Sequence, residues 1–204
     1  MLEINVNIIL AAGTQTRWIH EPVKGLPKIK QLVEVEGEIL IERIQRQFPG
    51  SIVITRNHAI SLHCKMVFNP QQNEVTVATL HSTYSLWKDW TTILLGDVNY
   101  GENTIEKLET QKEPLMFYGD KGEIYAVKWH KSKSHVILTA INQLINKIGW
   151  EQRFGKLWNM YRVINKEDFK KPIIKDFFTF VSDCEDFDNQ QQYVKYAKKQ
   201  GIRK

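Results

Sequence analysis

The chain has two cysteines in 204 residues, Cys64 and Cys184, too few for a disulfide framework. His63-Cys64 has no second pair at zinc spacing, so no structural metal site is expected there. No apolar run approaches the roughly 20 residues that span a bilayer, and no membrane partner is expected. Nor is a secretory leader: the apolar Val6–Ala12 run is short and reads as a core strand. Charge of one sign is scarce as well, since 28 Lys+Arg against 23 Asp+Glu leave only +5. The clearest basic cluster, Lys195, Lys198, Lys199, Arg203 and Lys204, reads as the solvated C-terminal end of a helix, where cations are favoured. A nucleic-acid binder would gather its charge in a stripe, so no nucleic-acid partner is expected. Repeats, low-complexity segments and linkers are all missing. One domain over residues 1–204 is therefore expected, in the cytoplasm, with a homo-oligomer left open.

What is present suits an ordinary globular enzyme. Hydrophobic residues make up 42% and charged residues 25%, enough to bury one sizeable core. The first hundred residues alternate strands and helices, the pattern of a mostly parallel sheet covered on both faces. Val6–Leu10, Ser51–Thr55, Lys65–Phe68 and Thr91–Leu95 read as strands. Ile39–Phe48 reads as a helix stopped by Pro49-Gly50, and Ser82–Asp89 as another. Further on, Leu115–Tyr118 and Glu123–Lys128 read as strands around the turn Gly119-Asp120-Lys121-Gly122. His135–Ile148, Trp150–Val163 and Gln190–Gln200 read as helices, and Phe177–Val181 as a last strand.

The chemistry concentrates in three segments. Ile8-Ile9-Leu10-Ala11-Ala12-Gly13-Thr14-Gln15-Thr16-Arg17 is a buried strand ending in a small-residue turn, whose bare N–H groups can approach an anion. Arg17 and then Lys28, in Leu26-Pro27-Lys28, add two cations for a polyphosphate. The turn is not a Walker A loop, because Gly13 is not followed by Gly-Lys-Ser/Thr at the right spacing. Thr91-Thr92-Ile93-Leu94-Leu95-Gly96-Asp97-Val98 places a carboxylate just past an apolar strand, at the sheet edge where open α/β sheets bind ligands. Asp183-Cys184-Glu185-Asp186-Phe187-Asp188-Asn189 leads acidic residues into the last helix.

Leu-Ala-Ala-Gly, then Arg17, then Pro27-Lys28 resembles the opening signature of the nucleotidyltransferases that activate sugar phosphates and alcohol phosphates, molybdenum-cofactor-guanylyltransferase-like proteins among them. Leu32-Val33-Glu34-Val35-Glu36-Gly37 resembles the strand and turn that follow, and Leu40-Ile41-Glu42-Arg43-Ile44 the next helix. Gln15 stands where the family pattern usually has a second glycine. The resemblance implies an α/β fold, a doubly wound mixed and mostly parallel sheet of the nucleotide-diphospho-sugar transferase type. It implies transfer of a nucleoside monophosphate from a triphosphate to a small phosphorylated acceptor, with release of pyrophosphate. Leu10, Ala11, Ala12, Gly13, Thr14, Arg17, Lys28 and Ser82 would then contact the nucleotide. Arg17 would hold the departing β/γ-phosphates and Lys28 the α-phosphate. Asp97 and Asp188 would bind Mg²⁺, with Asp186 one step behind.

Plainer readings stand beside these. Asp97 suits an Asx-turn, Asp188 a cap for the last helix, and Ser82 an N-cap. Trp150, Trp158 and Tyr161 are expected in the core before an acceptor pocket, and Trp87 and Trp90 in the core. Two other functions compete. In a nucleotide-sugar glycosyltransferase, Asp186-Phe187-Asp188 would be the Asp-x-Asp motif. A non-catalytic nucleotide-binding module is the other, with Gln15 its best argument.

Overall fold

Alternation along the buried strands sets the architecture. In β1 (Asn5–Leu10), Ile8 and Leu10 face one hydrophobic layer and Ile9 faces the other. A strand with apolar side chains on both faces must be covered on both faces. The computed structural model describes residues 3–13, 18–19, 22–73, 75–148, 155–167, 174 and 176–201. After β1 come the short strands β2 (Glu34–Val35) and β3 (Glu38–Ile39), helix α1 (Leu40–Gln47), β4 (Ile52–Ile54), α2 (His58–Ser61), β5 (Val67–Phe68) and α3 (Thr76–His81). Then follow β6 (Trp90–Leu95), β7 (Val98–Asn99), α4 (Glu102–Thr110), β8 (Leu115–Gly119) and β9 (Ile124–His130). The chain closes with α5 (Ser134–Ile148), α6 (Leu157–Ile164), β10 (Phe178–Phe180), β11 (Glu185–Asp186) and α7 (Gln190–Lys199).

Seven strands form one sheet in the order β10-β8-β9-β6-β1-β4-β5. All neighbours are parallel except at β9, which runs antiparallel to β6 and β8. The expected doubly wound, mixed, mostly parallel α/β sheet is the one observed. One layer packs Ile41 and Ile44 of α1, Leu108 of α4 and Tyr193 of α7 on Ile9, Val53, Leu94 and Ala126. The other packs Ala78 of α3, Ile137 and Ile141 of α5 and Met160 of α6 on Ile8, Ile54, Ile93 and Val127. Trp158 and Tyr161 belong to this second layer, Tyr161 meeting Phe117 edge-on at 5.2 Å. Trp150 lies outside the described residues. No helix among the described residues is long and apolar enough to cross a membrane.

Several elements differ from expectation: α2, α4, β7 and β11 stand where no element was expected, and the helix expected over Trp150–Val163 is seen as α6 from Leu157, after an extended Lys156. The helix read over Ser82–Asp89 lies earlier, at Thr76–His81, and only a single 3-10 turn, Tyr84–Leu86, follows it. The buried stretch Val77–Leu80 supplies the apolar contact that holds a helix in place. Its β-branched Thr76, Val77 and Thr79 disguise it, because such residues have low helix propensity.

The topology reverses at β1. The chain steps from β1 to β4 and β5 on one side, then crosses to put β6 on the other. Leu10 and Leu95 are register partners at the carboxyl end of this switch point. A second contact brings distant sequence to the same edge: β11 pairs antiparallel with β7, matching Asp186 to Val98. Asp183 anchors that return. It accepts from the Thr104 amide at 3.1 Å and from the Thr104 hydroxyl, capping α4, whose own N-cap residue is Gly101. Any side chain at Gly101 would overlap the Asp183 carboxylate and carbonyl. Asp183→Ala is therefore expected to cost about 1–2 kcal/mol, the scale of a lost helix cap. In a thermal melt that is a fall of roughly 2–8 °C; an unchanged melting temperature would show that β7–β11 holds without the cap.

Candidate active site

The switch point opens into a cleft of about 170 Å³. Its floor is the end of β1. The Gly96 amide donates to Leu10 O at 2.9 Å, and Ala11 N donates to Ile54 O at 2.9 Å, so the turn after β1 is tied to both neighbouring strands. A methyl group at Gly96 would stand 3.0 Å from both Leu10 O and Ala11 Cβ, too close for ordinary packing, which is why glycine suits this position. Leu10, Ala12 and Gly13 line the cleft, while Ala11 points into the core at 2% exposure. Thr14 and Arg17 lie outside the described residues.

Among the described residues two cations line the cleft, Lys30 beside Asp97 and Lys156 on the opposite wall. Lys28, the lysine expected there, is exposed and is not among the residues that line it. The reason is local. Trp18, 1% exposed, donates its indole N–H to Pro27 O at 2.9 Å, and half-buried Ile29 packs against the core. A 3-10 turn then begins at Lys30 and carries it inward. Two lysines two residues apart in an extended segment look alike in sequence. Only the turn tells them apart.

Lys30 forms an ion pair with Asp97. Burial works against its charge, but the attraction and hydrogen bond of Asp97, with Asp186 and Asp188 further off, outweigh burial and raise its pKa. Asp97, Asp186 and Asp188 all line the cleft. The cap of α7 is Asn189, not Asp188. Its side chain accepts from Gln192 N at 3.0 Å, and Gln192 Oε1 accepts from Asn189 N at 3.3 Å, a reciprocal capping box. Asp186 Oδ1 is buried without a partner. Its carboxyl pKa is pushed up to about 8, by burial first and then by Asp97, Asp188 and Glu123, against the pull of Lys30.

The sequence did not single out the opposite wall. Glu123, at the turn before β9, pairs with Lys156 at 2.6 Å, just before α6. Gln31, Thr76 and Thr79 complete the lining. Nothing in their spacing signals a site, because each arrives from a different element. Ser82, expected at the nucleoside, lies at the C-terminal end of α3. Its hydroxyl accepts from Gln72 N at 3.1 Å and donates to Ala78 O at 3.2 Å, and it is not among the lining residues. Backbone carbonyls and amides of its own neighbourhood hold it.

The acidic group fits a hard divalent cation. Asp186 leaves a buried carboxylate oxygen unmatched, and Asp97 and Asp188 face the same space. Among the described residues no three His, Cys, Asp or Glu groups close a metal cage on their own. Magnesium does not need one, since it takes one or two carboxylates and completes its shell with phosphate oxygens and water.

No protein-family model matches the chain, and no curated protein matches it either. Solved structures do. The CTP:phosphocholine cytidylyltransferase of Streptococcus pneumoniae superposes with a TM-score of 0.64 at 15% identity, covering 98% of this chain and 100% of that one. The inositol-1-phosphate CTP transferase of T. maritima gives 0.64 at 10% identity, over 97% and 95%. The chain has the fold of these nucleotidyltransferases. At such identity the likeness is one of fold, and the function must be argued from the cleft.

The raised Asp186 pKa has a consequence for stability. An unfolded aspartate releases its proton near the ordinary value of 3.8, whereas the folded one holds it to about 8. Between those values the native state binds more protons, so stability falls as pH rises through the window. In chelator-treated protein, Asp186→Asn should flatten that fall and raise the melting temperature at pH 8 relative to pH 5. Parallel pH profiles for the two proteins would contradict a buried, protonated Asp186.

Proposed function

We propose that this chain is a Mg²⁺-dependent nucleotidyltransferase. It transfers a nucleoside monophosphate from a triphosphate to a small phosphorylated acceptor, such as a sugar 1-phosphate, a phosphorylated alcohol or a phosphonate, and releases pyrophosphate. One observation carries this reading: Ala12–Gly13, Lys30, Asp97, Asp186 and Asp188 meet in one cleft at the switch point of the sheet. Few reactions need bare backbone, a lysine and several carboxylates together. Joining two phosphates does, because it gathers negative charge that must be both held and neutralised.

The acceptor phosphate is largely dianionic near neutral pH, so its attacking oxygen needs no strong base. That oxygen bonds to the α-phosphorus while the bond from α-phosphorus to the bridging oxygen breaks, and pyrophosphate leaves with the electron pair. The turn after β1 lets the triphosphate approach the backbone. Lys30 takes the part first assigned to Lys28, holding the α-phosphate as charge builds, and exchanges its contact with Asp97 for one with the substrate. Asp97 and Asp188, with Asp186 beside them, would hold Mg²⁺, which when bound supplies charge neutralisation on the phosphates. Arg17 keeps its expected role at the departing phosphates. The Glu123–Lys156 pair faces the same space and suits the acceptor side. A cytoplasmic enzyme, with both thiols free, fits this reading. Asp186-Phe187-Asp188 also reaches the cleft, as a glycosyltransferase would require, and pyrophosphate release from a triphosphate separates the two activities.

The test is a matrix of four triphosphates against phosphorylated acceptors, read by pyrophosphate release over a magnesium titration. In the productive pair, Lys30→Ala should cut turnover by about 10²–10³, the scale for losing one transition-state electrostatic contact. Lys28→Ala should stay near wild type. Equal losses for both lysines would return the role to the loop as a whole, and no magnesium-dependent pyrophosphate release with any pair would overturn the function.

A further inference from the structure

The face of the sheet under α1 and α4 changes character along its strands. Ile9, Leu94 and Ala126 are register partners across β1, β6 and β9 and pack into the core. Two residues nearer the amino edge, the equivalent row is Asn7, Thr92 and Lys128. Strands of a sheet covered on both faces are expected to be apolar throughout, and this row is not. It lines a separate cavity of about 290 Å³, just under the roughly 300–1,000 Å³ usual for small-molecule sites. Thr92 is only 5% exposed.

The walls of this cavity mix donors and acceptors. Lys128 donates from Nζ to Leu108 O at 2.6 Å and lies 5.5 Å from the centre of the Trp90 ring. Glu109, at the rim, balances its charge, so the cavity has no net charge to offer an ion. Gln47 donates to Tyr100 O at 3.0 Å and keeps its Oε1 buried without a partner. Phe48, Pro49 and Leu108 supply apolar flanks.

We propose that this amino-edge cavity binds a neutral polyhydroxylated ligand of monosaccharide size. A hydroxyl both donates and accepts, which matches a wall of amide, hydroxyl, ammonium and carboxylate groups. An apolar occupant would leave those groups stranded at a cost of about 1–3 kcal/mol each. The apolar flanks suit the C–H face of a ring. Asn7 and Thr92 stand three residues before Leu10 and Leu95, so about 10 Å of strand separates this cavity from the catalytic cleft. The assignment is independent of the proposed reaction.

Titration of the isotope-labelled full chain tests it, with glucose, myo-inositol and, as an apolar control, cyclohexanol as probes. At least one of the two polyols should shift the backbone amide signals of Asn7, Thr92 and Lys128 saturably in the millimolar range. Gly13, Gly96 and Asp97 should stay still. Thr92→Val keeps the shape but removes the hydroxyl, and should weaken binding about fivefold, the worth of one neutral hydrogen bond. Asn7→Ala, at the open edge, should weaken it similarly and covers the case in which Thr92→Val folds poorly. The assignment fails if neither polyol gives a saturable shift, or if shifts appear only at the cleft. It fails equally if cyclohexanol binds as well as the polyols, or if both well-folded variants bind like wild type.

Discussion

The ion pair between Lys30 and Asp97 is the contact on which the rest of the site depends. Asp97, Asp186, Asp188 and Glu123 line one small cleft. Like charges 4 Å apart repel by on the order of 4 kcal/mol even at a fairly high effective dielectric constant. Burial adds to the cost for Asp186, whose carboxyl responds by holding its proton. Lys30 draws on three of these four acids, which is why its own charge survives burial. In the proposed reaction such a cation is poised for exchange: substrate phosphates would take the lysine while a divalent ion takes the acids.

Placing these groups is the work of the sheet. The switch between β1 and β6 puts the bare turn after Leu10 beside Asp97, and Gly96 lets the two strand ends approach closely. The β7–β11 ladder brings residues about ninety positions later to the same edge. Asp183 and the absence of a side chain at Gly101 let that ladder form. Rigid strands then hold the groups that line the cleft near their ends, where small shifts in length or register would misplace them.

The same strands account for both ends of the molecule. The carboxyl ends of β1 and β6 face the acidic cleft, and their amino ends, with the carboxyl half of the antiparallel β9, carry the polar row of Asn7, Thr92 and Lys128. Between the two lies a continuous apolar layer. Polar groups at opposite ends of one apolar strand behave as separate sites unless something moves the strand, and the dense packing of these layers resists that.

What the sequence determined by itself was whatever local physics controls. The apolar runs of β1 and β6 could only be buried strands, and a small-residue turn followed by a carboxylate after the next such strand marked the edge where the cleft lies. From those runs the mostly parallel sheet and the place of Asp97 at its edge were legible, whereas Asp188 was marked only by the family resemblance of the segment before the last helix. The tertiary structure decided what depends on direction and on distant partners. Lys28 and Lys30 are chemically the same residue in the same segment, and only the buried Trp18–Pro27 contact and the 3-10 turn settle which one faces in. Ser82 resembles a helix start until the apolar contacts of Val77–Leu80 place the helix before it. Glu123 and Lys156, 33 residues apart, become a pair only when β9 and α6 meet at the cleft. Sequence spacing encodes which residues can share a strand or a helix face; which of them share a cavity is set by how the elements pack.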